Sequence, residues 1–178
     1  MKKGLLIAFI ALVADQVNKY VMLYIVALPH FFVDNKAIAG SGGRTIEVTN
    51  FFNIVMVWNR GVSFGMFNHG EVAAYQPILL TIMALVIVAG LIYWLNKATN
   101  NWQIISIGLI IGGALGNVID RAIYGAVADF YDFHLGERHW PAFNIADSCI
   151  CVGVAILLIE SSFGLGISKS GKNTYAKN

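Results

Sequence analysis

Charge is what this sequence most lacks. Of its 178 residues, 12 are Lys or Arg and 10 are Asp or Glu, so only 12% are charged, about half of the roughly 25% usual in soluble domains. Hydrophobic residues make up 57% of the chain and the mean hydropathy is +0.67. A soluble globule of this size needs more polar surface than that to cover its core. An ordinary soluble enzyme, a disordered chain and a nucleic-acid binder are therefore excluded, and a polytopic membrane protein is indicated. The net charge of +2 implies no polyanionic partner.

Cysteine is almost as scarce. Cys149 and Cys151 both lie in an apolar run, where two positions on a helix turn them away from each other, so they are expected to be small buried hydrophobes without a redox or metal role. The histidines, His30, His69, His134 and His139, show neither an HExxH pattern nor a Cys/His spacing. No zinc site, and no cofactor, is expected. There is no lipobox near the N-terminus, which argues that the protein is not itself a lipoprotein.

Four apolar stretches are long enough to span a bilayer core, which takes about 20 helical residues. They run from about Gly4 to Leu28, Pro77 to Leu95, Trp102 to Ile119 and Ile145 to Phe163. The first opens like a secretory signal, with Lys2 and Lys3 before a short apolar core, but the pattern continues past Asp15 and no A-x-A site ends it. It reads as a retained helix. Residues 1–167 then form a single membrane-embedded domain, and 168–178 a polar tail on the cytoplasmic side.

Four spans put both termini on one side. That side carries Lys2, Lys3, Lys97, Lys169, Lys172 and Lys177 and no acid, in short segments near helix ends. The other side carries Lys36, Arg44, Arg60, Arg121 and Arg138, accompanied by acids. The positive-inside rule makes both termini cytoplasmic and turns the two larger loops outward. Within the first of these, residues 44–67 are rich in Ile, Val, Thr and Phe. Alternation at Ile46 and Val48 and at Ile54, Met56 and Trp58 predicts a small sheet at the outer boundary, with a hairpin-like turn at Asn59-Arg60-Gly61. The Gly-rich stretch 34–43 reads as an insertion ahead of it.

The few charges left inside spans each need a reason, because insertion of one costs about 2.5–3.5 kcal/mol. Asp15 and Lys19 lie four apart on the first helix and can pair. Glu160, near the cytoplasmic end of the fourth helix, is expected to reach the interface and is given no role. The third helix ends in Gly112-Gly113-Ala114-Leu115-Gly116-Asn117-Val118-Ile119-Asp120-Arg121. Its glycines permit close helix approach, but packing does not call for Asn117, Asp120 and Arg121 together, so a functional site is expected here. Asn117 and Arg121 share a face, and Asp120 points about 100° away from Arg121.

Downstream come Asp129 and, entering the fourth helix, Asp147. Asp147 alone could be a helix cap, favoured by the dipole. Both, however, fall at the outer ends of spans beside apolar residues. Two carboxylates held close cannot both ionise readily, which yields a base and an acid at one pH. Such a pair can activate water, attack an amide carbonyl and protonate the leaving amine.

These residues resemble the bacterial lipoprotein signal peptidases (signal peptidase II), over the stretch from Asp15 to about Ile150. Asp15-Gln16-Val17-Asn18-Lys19 is similar to that family's DQxxK element, and Asn59-Arg60-Gly61-Val62-Ser63-Phe64-Gly65 to its NxGxAFG element, with Ser63 in place of the usual alanine. Gly112 to Arg121 matches GGxxGNxxDR, Asp129-Phe130 the DF block, and Phe143 to Ser148 the FNxADS block. The resemblance implies a four-transmembrane-helix, mainly α-helical enzyme with a small extracytoplasmic β-sheet. It implies an intramembrane aspartic endopeptidase, a monomer of the bacterial inner membrane, acting near the outer face. Its partners would be membrane lipid and lipid-modified prolipoproteins, whose signal peptides it removes just before a diacylglyceryl cysteine. It implies that Asp129 and Asp147 are the catalytic dyad, lined or supported by Asp15, Lys19, Asn59, Gly61, Asn117, Asp120, Arg121 and Asn144. Arg121 and Asn117 could hydrogen-bond either the substrate backbone or a developing oxyanion.

Two other classes fit less well. A metal-dependent phosphotransferase could use the acids between Asp120 and Asp132, but that family's Asp-Gly opening is absent and the Gly125, Asp129, Asp132 spacing is out of register. An ion-coupled carrier would carry polar residues near the midplane of several spans, yet in the second only Thr81 and Gly90 break the apolar run.

Overall fold

The computed structural model describes residues 1–26, 32–33, 36–37, 45–61 and 72–163. In chain order, α1 (Lys2–Tyr20) continues into a π-helical turn (Val21–Ile25), and β1 (Phe32–Val33) pairs with β2 (Lys36–Ala37). Then follow β3 (Ile46–Thr49), β4 (Phe52–Asn59), α2 (Val72–Lys97), α3 (Asn101–Tyr124), β5 (Val127–Leu135), β6 (Arg138–His139) and α4 (Ile145–Phe163). Among the described residues, four helices are long and apolar enough to cross a membrane: α1 with its π-helical turn, α2, α3 and α4. The chain is a mainly helical, multi-pass membrane protein with a small antiparallel sheet.

Glycine decides which helix is central. α3 packs against α1, α2 and α4, and half of its apolar window is buried (50%), against 11% for α2 and for α4. A Cβ at Gly113 would run into the carbonyl oxygen of Ala146, and one at Gly116 would stand 2.5 Å from Asp15 Oδ2. Only hydrogen at these positions lets α4 and the Asp15 carboxylate lie against α3. The outer flanks of α1, α2 and α4 stay apolar and uncovered, as at Phe9, Val86 and Leu158. In water such surfaces would drive aggregation; in a bilayer they face lipid tails.

Both ends of α3 are capped. Asn100 caps α3, its Oδ1 accepting from Gln103 N at 2.8 Å. Gly125, at φ 70°, ends the same helix in the left-handed region and turns the chain into β5. Glu160 does more than reach an interface: its Oε1 accepts from Asn100 Nδ2 at 2.8 Å and Gln103 Nε2 at 3.2 Å, clasping α4 to the start of α3.

The sheet has the order β3-β4-β5-β6. Met56, Trp58, Ala126, Ala128 and Phe130 form a buried core with Leu23 from the end of the first span. Several sequence expectations change here. The hairpin turn lies at Asn50-Phe51, between β3 and β4, and Asn59 is the last residue of a strand. Half of the sheet comes from the second loop, as β5 and β6. A register shift between Ile54 and Val57 breaks the period, so the buried positions of β4 are Asn53, Met56 and Trp58. Asp129 is on a strand and not at the end of a span. α3 runs past Ile119 to Tyr124, which puts Arg121 on the helix. The first span is helical to Ile25, and Leu28, residues 62–67 and the tail 168–178 lie outside the described residues, as does the Gly-rich stretch 34–43 apart from Lys36–Ala37. Cys149 is half-buried and Cys151 exposed. A small apolar side chain on a lipid-facing helix need not be covered by protein.

Candidate active site

Asp129 and Asp147 are joined through the segment between them. The backbone N–H of Phe130 (3.0 Å) and of Tyr131 (2.9 Å) donate to the Phe143 carbonyl, and Phe143 N–H donates to the Tyr131 carbonyl at 3.1 Å. This ladder lays the entry to α4 beside β5. The next residue, Asn144, is completely buried and caps α4. Its Oδ1 accepts from Asp147 N at 2.9 Å, and Asp147 Oδ2 accepts from Asn144 N at 3.3 Å. That reciprocal pair is a capping box, so the local role weighed for Asp147, a helix cap, is real.

The Asn144 side chain also reaches the other aspartate. Its Nδ2 donates to Asp129 Oδ1 at 2.8 Å, with Asn117 Oδ1 (3.2 Å) and the Ala128 carbonyl (3.3 Å) as further acceptors. Asn117 Nδ2 donates to Asp147 Oδ1 at 2.8 Å. Asn59 Nδ2 donates to Asp129 Oδ2 at 3.1 Å, and Gly61 N donates to Asn59 Oδ1 at 3.1 Å, which fixes the amide the right way round. A Cβ on Gly61 would sit 2.8 Å from Gln76 Oε1, so a side chain here would displace the end of Gln76. Every oxygen of the two carboxylates thus receives an N–H. Amide donors orient a carboxylate without neutralising it.

Asp129 is 1% exposed. Burial, and next the charge of Asp147, push its pKa up from 3.8 to about 8, against the lowering effect of the Asn59 and Asn144 hydrogen bonds and Lys19. Asp147 instead stands in the first turn of α4, where the helix dipole favours negative charge.

Behind the aspartates lies a second polar layer. Lys19, 3% exposed, contacts Asp15 Oδ2 at 2.7 Å and Asp120 Oδ2 at 2.8 Å, and donates to Asn117 Oδ1 at 3.4 Å. The expected Asp15–Lys19 pair is therefore a triad with Asp120. Gln16, which sequence reasoning left without a role, donates to Asp15 Oδ2 (3.2 Å), Asp120 Oδ1 (3.2 Å) and the Gly116 carbonyl (3.3 Å). Its position next to Asp15 in a span was the available signal: an amide in lipid needs partners as a charge does.

Arg121 stands apart. Its Nη1 donates to the Asn117 carbonyl at 3.4 Å, and its buried Nε has no hydrogen-bond partner among the described residues. Asp132, three residues from Asp129 and so on the opposite face of β5, pairs with His139 Nδ1 at 2.8 Å and with Asn53 at 3.2 Å. The run of acids that suggested a metal enzyme is divided between α3, which carries Asp120, and the two faces of β5. Among the described residues, no three His, Cys, Asp or Glu side chains are grouped to hold a metal ion.

Comparison with known proteins identifies the family of the chain. Residues 7–163 match the family model described as Signal peptidase (SPase) II. A lipoprotein signal peptidase of Rhodopseudomonas palustris is 41% identical over 174 residues, covering 96% of this chain and 98% of that one. One from Vibrio cholerae is 44% identical over 117 residues, 65% of this chain and 67% of that one. Two solved structures, described as bacterial membrane enzymes determined by the in meso method, also match. The first has a TM-score of 0.72 at 27% identity and covers 98% of this chain and 96% of its own. The second has a TM-score of 0.68 at 29% identity, with 94% and 96% covered. With its four spans and its paired aspartates, the chain belongs to the signal peptidase II family, aspartic-type peptidases of the membrane.

Proposed function

We propose that this protein removes signal peptides from diacylglyceryl-modified prolipoproteins, cleaving just before the lipidated cysteine, with Asp129 and Asp147 as the catalytic dyad. One observation carries the reading: two carboxylates, each oxygen oriented by an N–H donor, of which Asp129 keeps its proton near neutral pH while Asp147 sits where charge is favoured. The relatives' name, lipoprotein signal peptidase, supplies the substrate class. The charge distribution supports an inner-membrane protein with cytoplasmic termini and an outward-facing site, and we take the working unit to be a monomer.

In the proposed cycle, Asp147 takes a proton from water as its oxygen attacks the scissile carbonyl carbon. Asp129 gives its proton to the carbonyl oxygen. The resulting gem-diol collapses: the C–N bond breaks, Asp147 passes its proton to the departing amine, and a diol hydroxyl returns a proton to Asp129. The dyad is restored, and water has been divided between acid and amine. Asn117 is engaged by Asp147, Lys19 and Asn144, whereas Arg121 makes one long hydrogen bond, so of the two side chains considered for holding substrate, Arg121 has more donors to give.

Purified protein mixed with a diacylglyceryl precursor should yield a product beginning at the lipidated cysteine, in EDTA as well as without it. Equal cleavage of the unlipidated precursor would remove the substrate assignment, and loss of activity in chelator would remove the metal-free chemistry.

A pH profile follows from Asp129. Its proton is held below about pH 8 and lost above it, so kcat should fall as pH rises through that value. Stability carries the same sign: the folded protein binds this proton more tightly than an unfolded chain, so the contribution is full below about pH 4 and disappears toward pH 8. An alkaline limb that stays in place when Asn59→Leu removes one donor to Asp129 would break the link, because losing that donor should move the limb to higher pH.

A further inference from the structure

The second polar layer touches neither reactive carboxylate with its acids, yet it reaches both through the main chain. Asp15 Oδ1 accepts from the backbone N–H of Ala146 at 2.9 Å. Asp120 Oδ2 accepts from the backbone N–H of Ala128 at 3.1 Å. Ala146 immediately precedes Asp147, and Ala128 immediately precedes Asp129. Both acids are held in turn by one cation, Lys19, and by one amide, Gln16.

All of these side-chain groups except Gln16 are essentially inaccessible: Asp15 is 0%, Asp120 1% and Lys19 3% exposed. A buried ion pair alone is weak evidence of a stabilising role, since desolvation offsets much of the attraction. Two features go beyond pairing. Asp15 gives one oxygen to Lys19 and Gln16 and the other to a backbone N–H, Asp120 gives one to Gln16 and shares the other between Lys19 and a backbone N–H, and the two N–H groups are at equivalent places relative to the dyad. The Ala146 N–H is also one of the donors left over in the first turn of α4, so Asp15 caps a helix to which it is not attached in sequence.

We propose that Asp15, Lys19 and Asp120, tied together by Gln16, form a positioning frame that sets the spacing of the dyad by gripping the peptide unit before each aspartate. Lys19 is the common reference point. α1 contributes no group to the chemistry and supplies the gauge for it. Small errors in such spacing are costly, because a displacement of about 1 Å can reduce a rate about 100-fold. The frame rests on the dyad reading above, and its test keeps the two separable.

The measurement is single-turnover and steady-state cleavage of a diacylglyceryl precursor by purified protein, corrected for the folded fraction in detergent. Asp15→Asn and Asp120→Asn should each lower kcat about 10- to 100-fold while KM stays within about twofold. The double variant should be little slower than the worse single one, because either release already frees the spacing. Unchanged kcat per folded molecule, a loss confined to KM, or losses that multiply in the double variant would each overturn the frame. If these variants do not fold, Gln16→Leu removes hydrogen bonds to Asp15, Asp120 and the Gly116 carbonyl while leaving all three charged groups in place. It should lower kcat about 3- to 10-fold with KM unchanged, and full kcat would overturn the proposal. Asp129→Asn and Asp147→Asn run alongside: wild-type cleavage by those variants sinks the dyad, whereas inactive dyad variants beside fully active Asp15→Asn and Asp120→Asn sink the frame alone.

Discussion

Asp129→Asn and Asp147→Asn are each expected to lower cleavage of a lipidated precursor by at least about 10³-fold, with the protein still inserted and folded. Asparagine has the shape of the carboxyl group, but it can neither take a proton from water nor give one to a carbonyl oxygen. The structural cost is small. At position 129 the two neighbours are both amide donors, Asn59 Nδ2 and Asn144 Nδ2, so the new amide loses one of two hydrogen bonds, about 1 kcal/mol. At position 147 the capping-box oxygen can be kept by the asparagine carbonyl. Thermal unfolding in detergent and the yield of membrane-inserted protein check the folding claim; mass analysis of the precursor checks the chemistry. Either variant processing substrate at the normal rate would end the dyad assignment.

Asn144→Ala should be damaging in both respects. It removes the cap of α4, about 0.5–2 kcal/mol, and takes from Asp129 Oδ1 its N–H donor, about 1–3 kcal/mol more. A fall in Tm of roughly 5–10 °C is expected by the scaling for chains of this size, with kcat down about 100-fold. Asn144→Ser separates the two effects. Serine is a good cap but its hydroxyl is too short to bridge to β5. Most of the lost stability should return while the rate stays low. If the serine variant recovers rate and stability together, Asn144 matters only as a helix cap.

Much of this architecture was legible in the residues. Four long apolar runs on a chain with so little charge leave few alternatives, and the Gly112–Gly116 pattern announced a close helix contact. Asp15 and Lys19 were marked by the expense of charge in a span. What could not be read is instructive. β5 and β6 escaped notice because Val127 to His139 mixes acids, histidines and aromatics, and a strand covered on both faces at its start shows no clean alternation. The hairpin turn was misplaced because Asn59-Arg60-Gly61 has turn chemistry, which here orients the Asn59 amide toward Asp129 instead of reversing the chain. The pairing of Phe143 with Tyr131 has no signature at all, yet it is the contact that lays the two halves of the site side by side. Gln16 was passed over for its neutrality. Asn117 was considered for the substrate backbone or an oxyanion because a polar group at a helix end looks available, and only the distances show how far it is engaged within the protein.

The bond from Asp15 to Ala146 spans 131 positions in the chain, and it has a consequence for the order in which the protein is made. α1 leaves the ribosome first and must enter the bilayer with Asp15 and Lys19 matched only to each other. Asp120 arrives with the third helix, and the Ala146 N–H only with the last. Until then the newborn chain carries a half-built latch and no spaced pair of acids. On the proposed reading the pair of acids is therefore complete only when the final helix is in place, because Asp147 and the Ala146 N–H that Asp15 holds arrive together.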